Sequence, residues 1–113
     1  MKNPLGFKAA RNKVIRSLLA GRAYILFEPR EVREEKNLLD TEEVKIEEVI
    51  QLLRRCVGTQ FRCTPHHVSR EIPVYVFQPT VARERWYIKA YFLEGGEALE
   101  PVIFISVHKQ QLE

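Results

Sequence analysis

Two short stretches near the C-terminal end hold side chains that can move protons and neutralise negative charge. Tyr87, Lys89 and Tyr91 alternate along the first, and Ser106 and His108 along the second. A phenol, an ammonium, a hydroxyl and an imidazole supply donors, acceptors and positive charge together. The imidazole is the group suited to proton transfer near neutral pH. Arg62, Arg83 and Arg85 lie close by in the chain, and a guanidinium can grip an anionic oxygen pair in a bidentate way. The same residue types are also common on the solvated side of an antiparallel sheet.

Other groupings carry less. Cys56, Cys63, His66 and His67 fall within twelve residues, but the C-x6-C-x2-H-H spacing is no standard zinc pattern. Cys56 also falls on an apolar helix stripe, where a buried thiol is expected. Neither a metal nor another cofactor is therefore expected. There is no Gly-rich phosphate loop, no Ser/His/Asp order and no paired-carboxylate motif. His66 in the polar loop can contact a phosphate, whereas Trp86 is expected in the core.

These side chains need a scaffold, and hydrophobic spacing outlines one. Phe7, Ala10, Val14, Ile15, Leu18 and Leu19 recur at helical spacing, and Gly21 is a natural stop. Ala23 to Phe27 reads as a strand ended by Glu28 and Pro29. Residues 30–39 are highly charged and fit either a short helix or a loop. Asp40 and Glu43 form a capping-box-like start for a second helix, with Ile46, Val49, Ile50, Leu53, Cys56 and Val57 as its stripe and Gly58 as its end. Residues 59–71, punctuated by Pro65, read as an exposed loop. Three strands follow at 72–77, 86–93 and 102–107. The order predicts an α+β domain over residues 1–113, with helices packed on one face of a small twisted antiparallel sheet.

Alternation divides the last hairpin. Trp86, Ile88, Ala90 and Phe92 share one side, and Ile103, Ile105 and Val107 form the apolar set of the partner strand. Joining the apolar sets pairs Ile88 with Val107, Ala90 with Ile105 and Phe92 with Ile103. A slip of one residue buries Lys89, so this parity is favoured. Tyr87, Lys89, Tyr91, Ser106 and His108 then share the opposite face, open to a ligand once helices cover the first.

Charge is arranged in blocks. Residues 1–22 hold six basic side chains and no acid, residues 28–50 nine acids against four bases, and residues 51–93 seven bases against two acids. Two basic blocks flanking an acidic one can fold into a dipolar surface that attracts polyanions, although the net charge is only +3.

At this point the sequence resembles the MqsR-type toxins of bacterial type II toxin–antitoxin systems, small ribonucleases with a RelE-like fold. The likeness runs from about Val14 to Lys109. It is carried by residues 14–22, by Asp40 to Leu53, by Phe61, by Val74 to Pro79, by Trp86 to Lys89 and by Phe104 to His108. The resemblance implies a metal-independent endoribonuclease acting on mRNA, with a cognate antitoxin protein as partner; the ribosome is a candidate further partner. By position it implies Tyr87 and His108 in the active site. The family's lysine on the last strand is His108 here, its strand glutamine falls near Val74, and its loop lysine near Cys63.

Such cleavage uses the 2′-OH as nucleophile, with a base for that hydroxyl, an acid for the departing 5′ oxygen and cations for the phosphorane charge. The expected catalytic set is His108, Tyr87 and Lys89. The expected RNA-binding set is Arg62, His66, Arg83, Arg85 and Tyr91, the last by stacking a base. A non-catalytic nucleic-acid-binding module, or an antitoxin- or immunity-like interaction protein, is the alternative for the same face.

Composition bounds all of this. With 113 residues, 45% hydrophobic and 29% charged, the chain is long enough for one core and too apolar to be disordered. Two cysteines are too few for a disulfide scaffold. No apolar run approaches the roughly 18–20 residues of a membrane span, and Met1 to Phe7 lack a signal-peptide core, so a cytoplasmic protein is expected.

Overall fold

The computed structural model describes residues 3–29, 37–94 and 99–110. Helix α1 (Phe7–Ala20) buries Ala10, Val14, Ile15, Ser17 and Leu18 along one stripe, while Leu19 points out at 64% exposure. It ends at Gly21, whose φ of +105° is a conformation that side chains disfavour. A single 3-10 turn, Arg22–Tyr24, leads into strand β1 (Ile25–Phe27), so the expected strand is shortened to its last three residues.

Helix α2 spans Ile46–Arg55, not 40–57. Glu42 has a left-handed φ of +65°, which breaks the backbone before the helix, and Asp40 instead donates its N–H to Asn37 Oδ1 at 3.3 Å. The actual start is at Lys45, whose N–H donates to Glu48 Oε1 at 3.3 Å. Val49, Ile50, Leu52 and Leu53 face inward, and the helix stops at Cys56, which is buried.

Strand β2 (Phe61–Pro65) lies where a loop was expected. It pairs antiparallel with β3 (Pro73–Phe77), its apolar residues Phe61 and Cys63 packing toward the helices while Arg62 and Thr64 take the other side. Alternation of bulky and polar residues suits an edge position, and Pro65 is tolerated because it ends the strand. Strand β4 (Thr80–Val81) and strand β5 (Glu84–Phe92) are joined by Ala82 and Arg83, both left-handed, as a two-residue hairpin turn requires. Strand β6 (Val102–Gln110) completes a six-stranded sheet of order β1-β6-β5-β3-β2, with β4 beside β5.

The sheet is mixed, because β1 runs parallel to β6 whereas the other pairings are antiparallel. Glu28 N–H continues that edge by donating to the Phe104 carbonyl at 3.1 Å, and Leu38 N–H donates to the Val107 carbonyl at 2.8 Å. An otherwise bare strand edge is thereby covered.

The β5/β6 register holds Tyr87 opposite His108, Ile88 opposite Val107 and Lys89 opposite Ser106. A bulge between Lys89 and Ala90 then shifts the pairing. Ala90 faces Phe104 and Phe92 faces Val102, in place of Ile105 and Ile103. The extra residue, Ile105, lets β6 turn Phe104 inward, where it is fully buried with Ile88, Ala90, Phe77, Leu18 and Leu53. Burying such a side chain contributes about 1.5–3 kcal/mol, a gain a regular ladder would forfeit. Trp86, at 8% exposure, sits in this core as expected. A helical layer on one side of a mixed sheet is an α+β architecture.

Candidate functional site

The face of the sheet turned away from the helices carries Arg62 from β2, Val74 and Val76 from β3, Tyr87, Lys89 and Tyr91 from β5, and Ile103, Ser106 and His108 from β6. Only part of it is open. Val74, Val76, Ile103 and Ser106 are buried, whereas Arg62 is exposed and Tyr87 and His108 are half-buried. Lys89 and Tyr91 are half-buried as well, and the exposed Arg62 marks out the end of the face around the Tyr87/His108 pair.

At that end the rings of Tyr87 and His108 stack, with centroids 5.3 Å apart and planes 21° from parallel. His108 Nδ1 lies 3.0 Å from its neighbour's carbonyl, Lys109 O. A carbonyl only accepts, so Nδ1 is the donor in this contact, and Nε2 is the ring nitrogen left open to a ligand. Arg62 approaches from the edge strand, its guanidinium carbon 5.9 Å from the Tyr87 ring centroid. Its Nη2 donates to the Tyr87 hydroxyl at 3.5 Å, the outer limit of a hydrogen bond, and its Nη1 donates to Gln78 Oε1 at 2.7 Å. Gln78 Nε2 in turn donates to Gln110 Oε1 at 3.1 Å. Arg62 is thus aimed by an amide chain. Gln78 and Gln110 were not among the expected site residues, although the alternation that selected Ser106 and His108 extends to Gln110.

Lys89 lies one step along β5, opposite Ser106, whose buried Oγ has no hydrogen-bond partner among the described residues. Arg85 is exposed and pairs with Gln110, on the same alternation as Tyr87. Arg83 is exposed at the tip of the β4–β5 turn, and the structure shows no contact between it and the Tyr87/His108 pair.

Tyr91 and His66 form a separate group at the other end. The His66 ring meets Tyr91 edge-on with centroids 4.9 Å apart and stacks on His67 at 4.4 Å. Its Nδ1 accepts the backbone N–H groups of Val68 and Ser69 at 3.1 and 3.2 Å, which leaves the proton on Nε2 to be donated to Glu28 Oε1 at 2.8 Å. With His66 only 6% exposed and both ring nitrogens engaged, it anchors the β2–β3 loop to the end of β1, turned away from solvent. Burial first, and then the Glu28 carboxylate beside it, push the Tyr91 phenol up from its ordinary range.

Glu28, His66 and His67 bring three potential metal-ligating atoms within 4.8 Å of one another. Their hydrogen bonding fits a metal poorly. A ligating histidine normally donates from its second nitrogen, whereas His66 accepts there, so binding through Nε2 demands an imidazolate. Cys56 and Cys63 are not joined in a disulfide, and burial is the main cause raising each thiol above its ordinary range. No helix among the described residues is long and apolar enough to cross a membrane.

Compared with protein-family models, curated proteins and solved structures, the chain finds no match.

Proposed function

We propose that the chain is a RelE-like, MqsR-type endoribonuclease toxin that cleaves mRNA without a metal, at the Tyr87/His108 end of the sheet. One observation carries the reading: an imidazole with an open Nε2 is stacked on a tyrosine that a guanidinium overlies. These are the three capacities that transesterification of RNA needs, a proton acceptor, a proton donor and a cation for the phosphate. The sequence likeness described above is the ground for the toxin class and for a cognate antitoxin protein as partner.

In this reading His108 Nε2 takes the proton of the 2′-OH as the 2′ oxygen bonds to phosphorus. The bond from phosphorus to the 5′ oxygen breaks, and that oxygen leaves with a proton from the Tyr87 hydroxyl. Arg62 donates toward the non-bridging oxygens as charge builds, held in aim by Gln78, and Lys89 adds positive charge from the next position of the strand. Arg85 contacts the neighbouring phosphate. The upstream product ends in a 2′,3′-cyclic phosphate and the downstream product in a 5′-OH.

Incubating the protein with end-labelled mRNA in excess EDTA tests this. Cleavage with cyclic-phosphate ends is expected. Binding without cleavage would overturn the proposal in favour of a non-catalytic nucleic-acid-binding module, and activity that requires a divalent ion would overturn the metal-free mechanism.

A further inference from the structure

The helical layer, on the side of the sheet away from Tyr87 and His108, has its own concentration of positive charge. Helices α1 and α2 pack together, and between them runs a groove of about 360 Å³ lined by Arg11, Asn12, Ile15, Arg16 and Arg54. Three of the five lining residues are arginines. The basic residues of the N-terminal block divide into two kinds. Lys13 is ion-paired with Glu100 and Arg22 with Glu42, whereas Arg11 and Arg16 have no acidic partner among the described residues. Arg54, brought in from the last turn of α2, has none either. Arg11 is oriented by its own neighbours, with its guanidinium carbon 5.1 Å from the Phe7 ring centroid and Nε donating to Asn12 Oδ1 at 3.3 Å.

We propose that this groove binds the phosphates of a nucleic-acid backbone, as a second contact surface independent of the sheet face. Three guanidinium groups held near one another without counter-charges repel, and a bridging phosphate removes that repulsion while accepting several N–H bonds. An acidic protein segment fits less well. Protein interfaces depend on apolar or aromatic anchors, and the only apolar lining residue here, Ile15, is itself buried in the core. A second groove, between α2 and the β4–β5 hairpin, shows the contrast: Leu52, Val81, Ala82 and Trp86 line it with Gln51, and its charges are Glu47, Glu48 and Glu84 against the single cation Arg55. A lining whose charges are all cationic is thus particular to the α1/α2 groove of the two.

The test measures binding, so it stands whether or not the sheet face cleaves. Labelled single-stranded RNA is titrated by fluorescence anisotropy at several salt concentrations against the His108→Ala protein and the same protein carrying Arg16→Glu and Arg54→Glu. Both charge-reversed positions are exposed, and a thermal melt checks folding. Loss of two phosphate contacts should make the log–log salt slope shallower by about 1.4 and weaken binding by about tenfold or more at low salt. The arginine Nε–H resonances of Arg11, Arg16 and Arg54 should shift with RNA, and only at far higher concentration with inorganic phosphate or pyrophosphate. Unchanged affinity and slope would overturn the proposal. So would pyrophosphate binding more tightly than RNA, which points to a small phosphorylated ligand, or a poly-glutamate peptide competing as well as RNA, which points to a protein partner.

Discussion

Replacing His108 by alanine separates catalysis from folding, because the two consequences differ greatly in size. The ring is half-buried at the sheet surface, so its removal opens no core cavity. What the fold loses is one stacked ring contact at 5.3 Å and one hydrogen bond to an adjacent carbonyl, together about 1–2 kcal/mol. For a chain of this length that is a fall in melting temperature of about 4–8 °C, leaving the protein folded at 25 °C. If Nε2 accepts the 2′-OH proton, cleavage should drop by about 10²–10⁴-fold, or roughly 2.7–5.4 kcal/mol of barrier. Tyr87→Phe provides the finer comparison. Its hydroxyl meets Arg62 only at 3.5 Å, so stability should change by less than about 0.5 kcal/mol while cleavage still falls by more than about tenfold. The double variant should be little worse than His108→Ala, since the two proton transfers serve one transesterification and the groups act as a unit. Initial rates on labelled RNA in EDTA, measured beside thermal melts of the same samples, decide the matter. Cleavage at the wild-type rate by a folded His108→Ala protein would refute the assignment, as would a rate loss that merely tracks the loss of folded protein.

Three further outcomes probe the scaffold. Phe104→Ala should cost about 3–5 kcal/mol in urea unfolding whereas Ile105→Ala, at the half-buried bulge, should cost about 1.5 or less; the reverse order would contradict the bulged register. Glu28→Ala leaves the Nε2 proton of His66 buried without an acceptor and should destabilise by about 1–3 kcal/mol, with hydrogen exchange at the Val68 and Ser69 amides accelerated because the ring that accepts them is released. Burial raises the phenols of Tyr75 and Tyr91 above the unfolded value of about 10, so the folded state holds these protons more tightly. Their contribution to stability should be complete below about pH 10 and be lost as pH rises through the folded values; absorbance titration should show Tyr75 and Tyr91 ionising above the free-phenol range, and stability flat through about pH 11 would contradict this.

Local pattern reached a long way in this chain. The stripe from Ala10 to Leu18 with Gly21 behind it marks α1, and alternation along residues 86–92 assigns Trp86, Ile88, Ala90 and Phe92 to the core side and Tyr87, Lys89 and Tyr91 to the other. Those periodicities are properties of a single element, and burial of one face suffices to select them. The pairing of Tyr87 with His108 was legible for the same reason, since it follows from parity near the middle of two strands.

Tertiary structure decided what depends on a second element. The bulge at Ile105 is invisible to alternation, because it exists to deliver Phe104 into a pocket built by the helices and β3. Strand β2 passes for a loop until β3 lies alongside, since its polar side chains are a liability only if that face is buried. The parallel docking of β1, the burial of His66 against Glu28, and the Gln110–Gln78–Arg62 chain all join residues more than fifteen positions apart in sequence. Spacing within one segment carries no information about such partners. The same holds for the arginine groove, whose third guanidinium comes from α2 and becomes part of one site only when that helix packs beside α1.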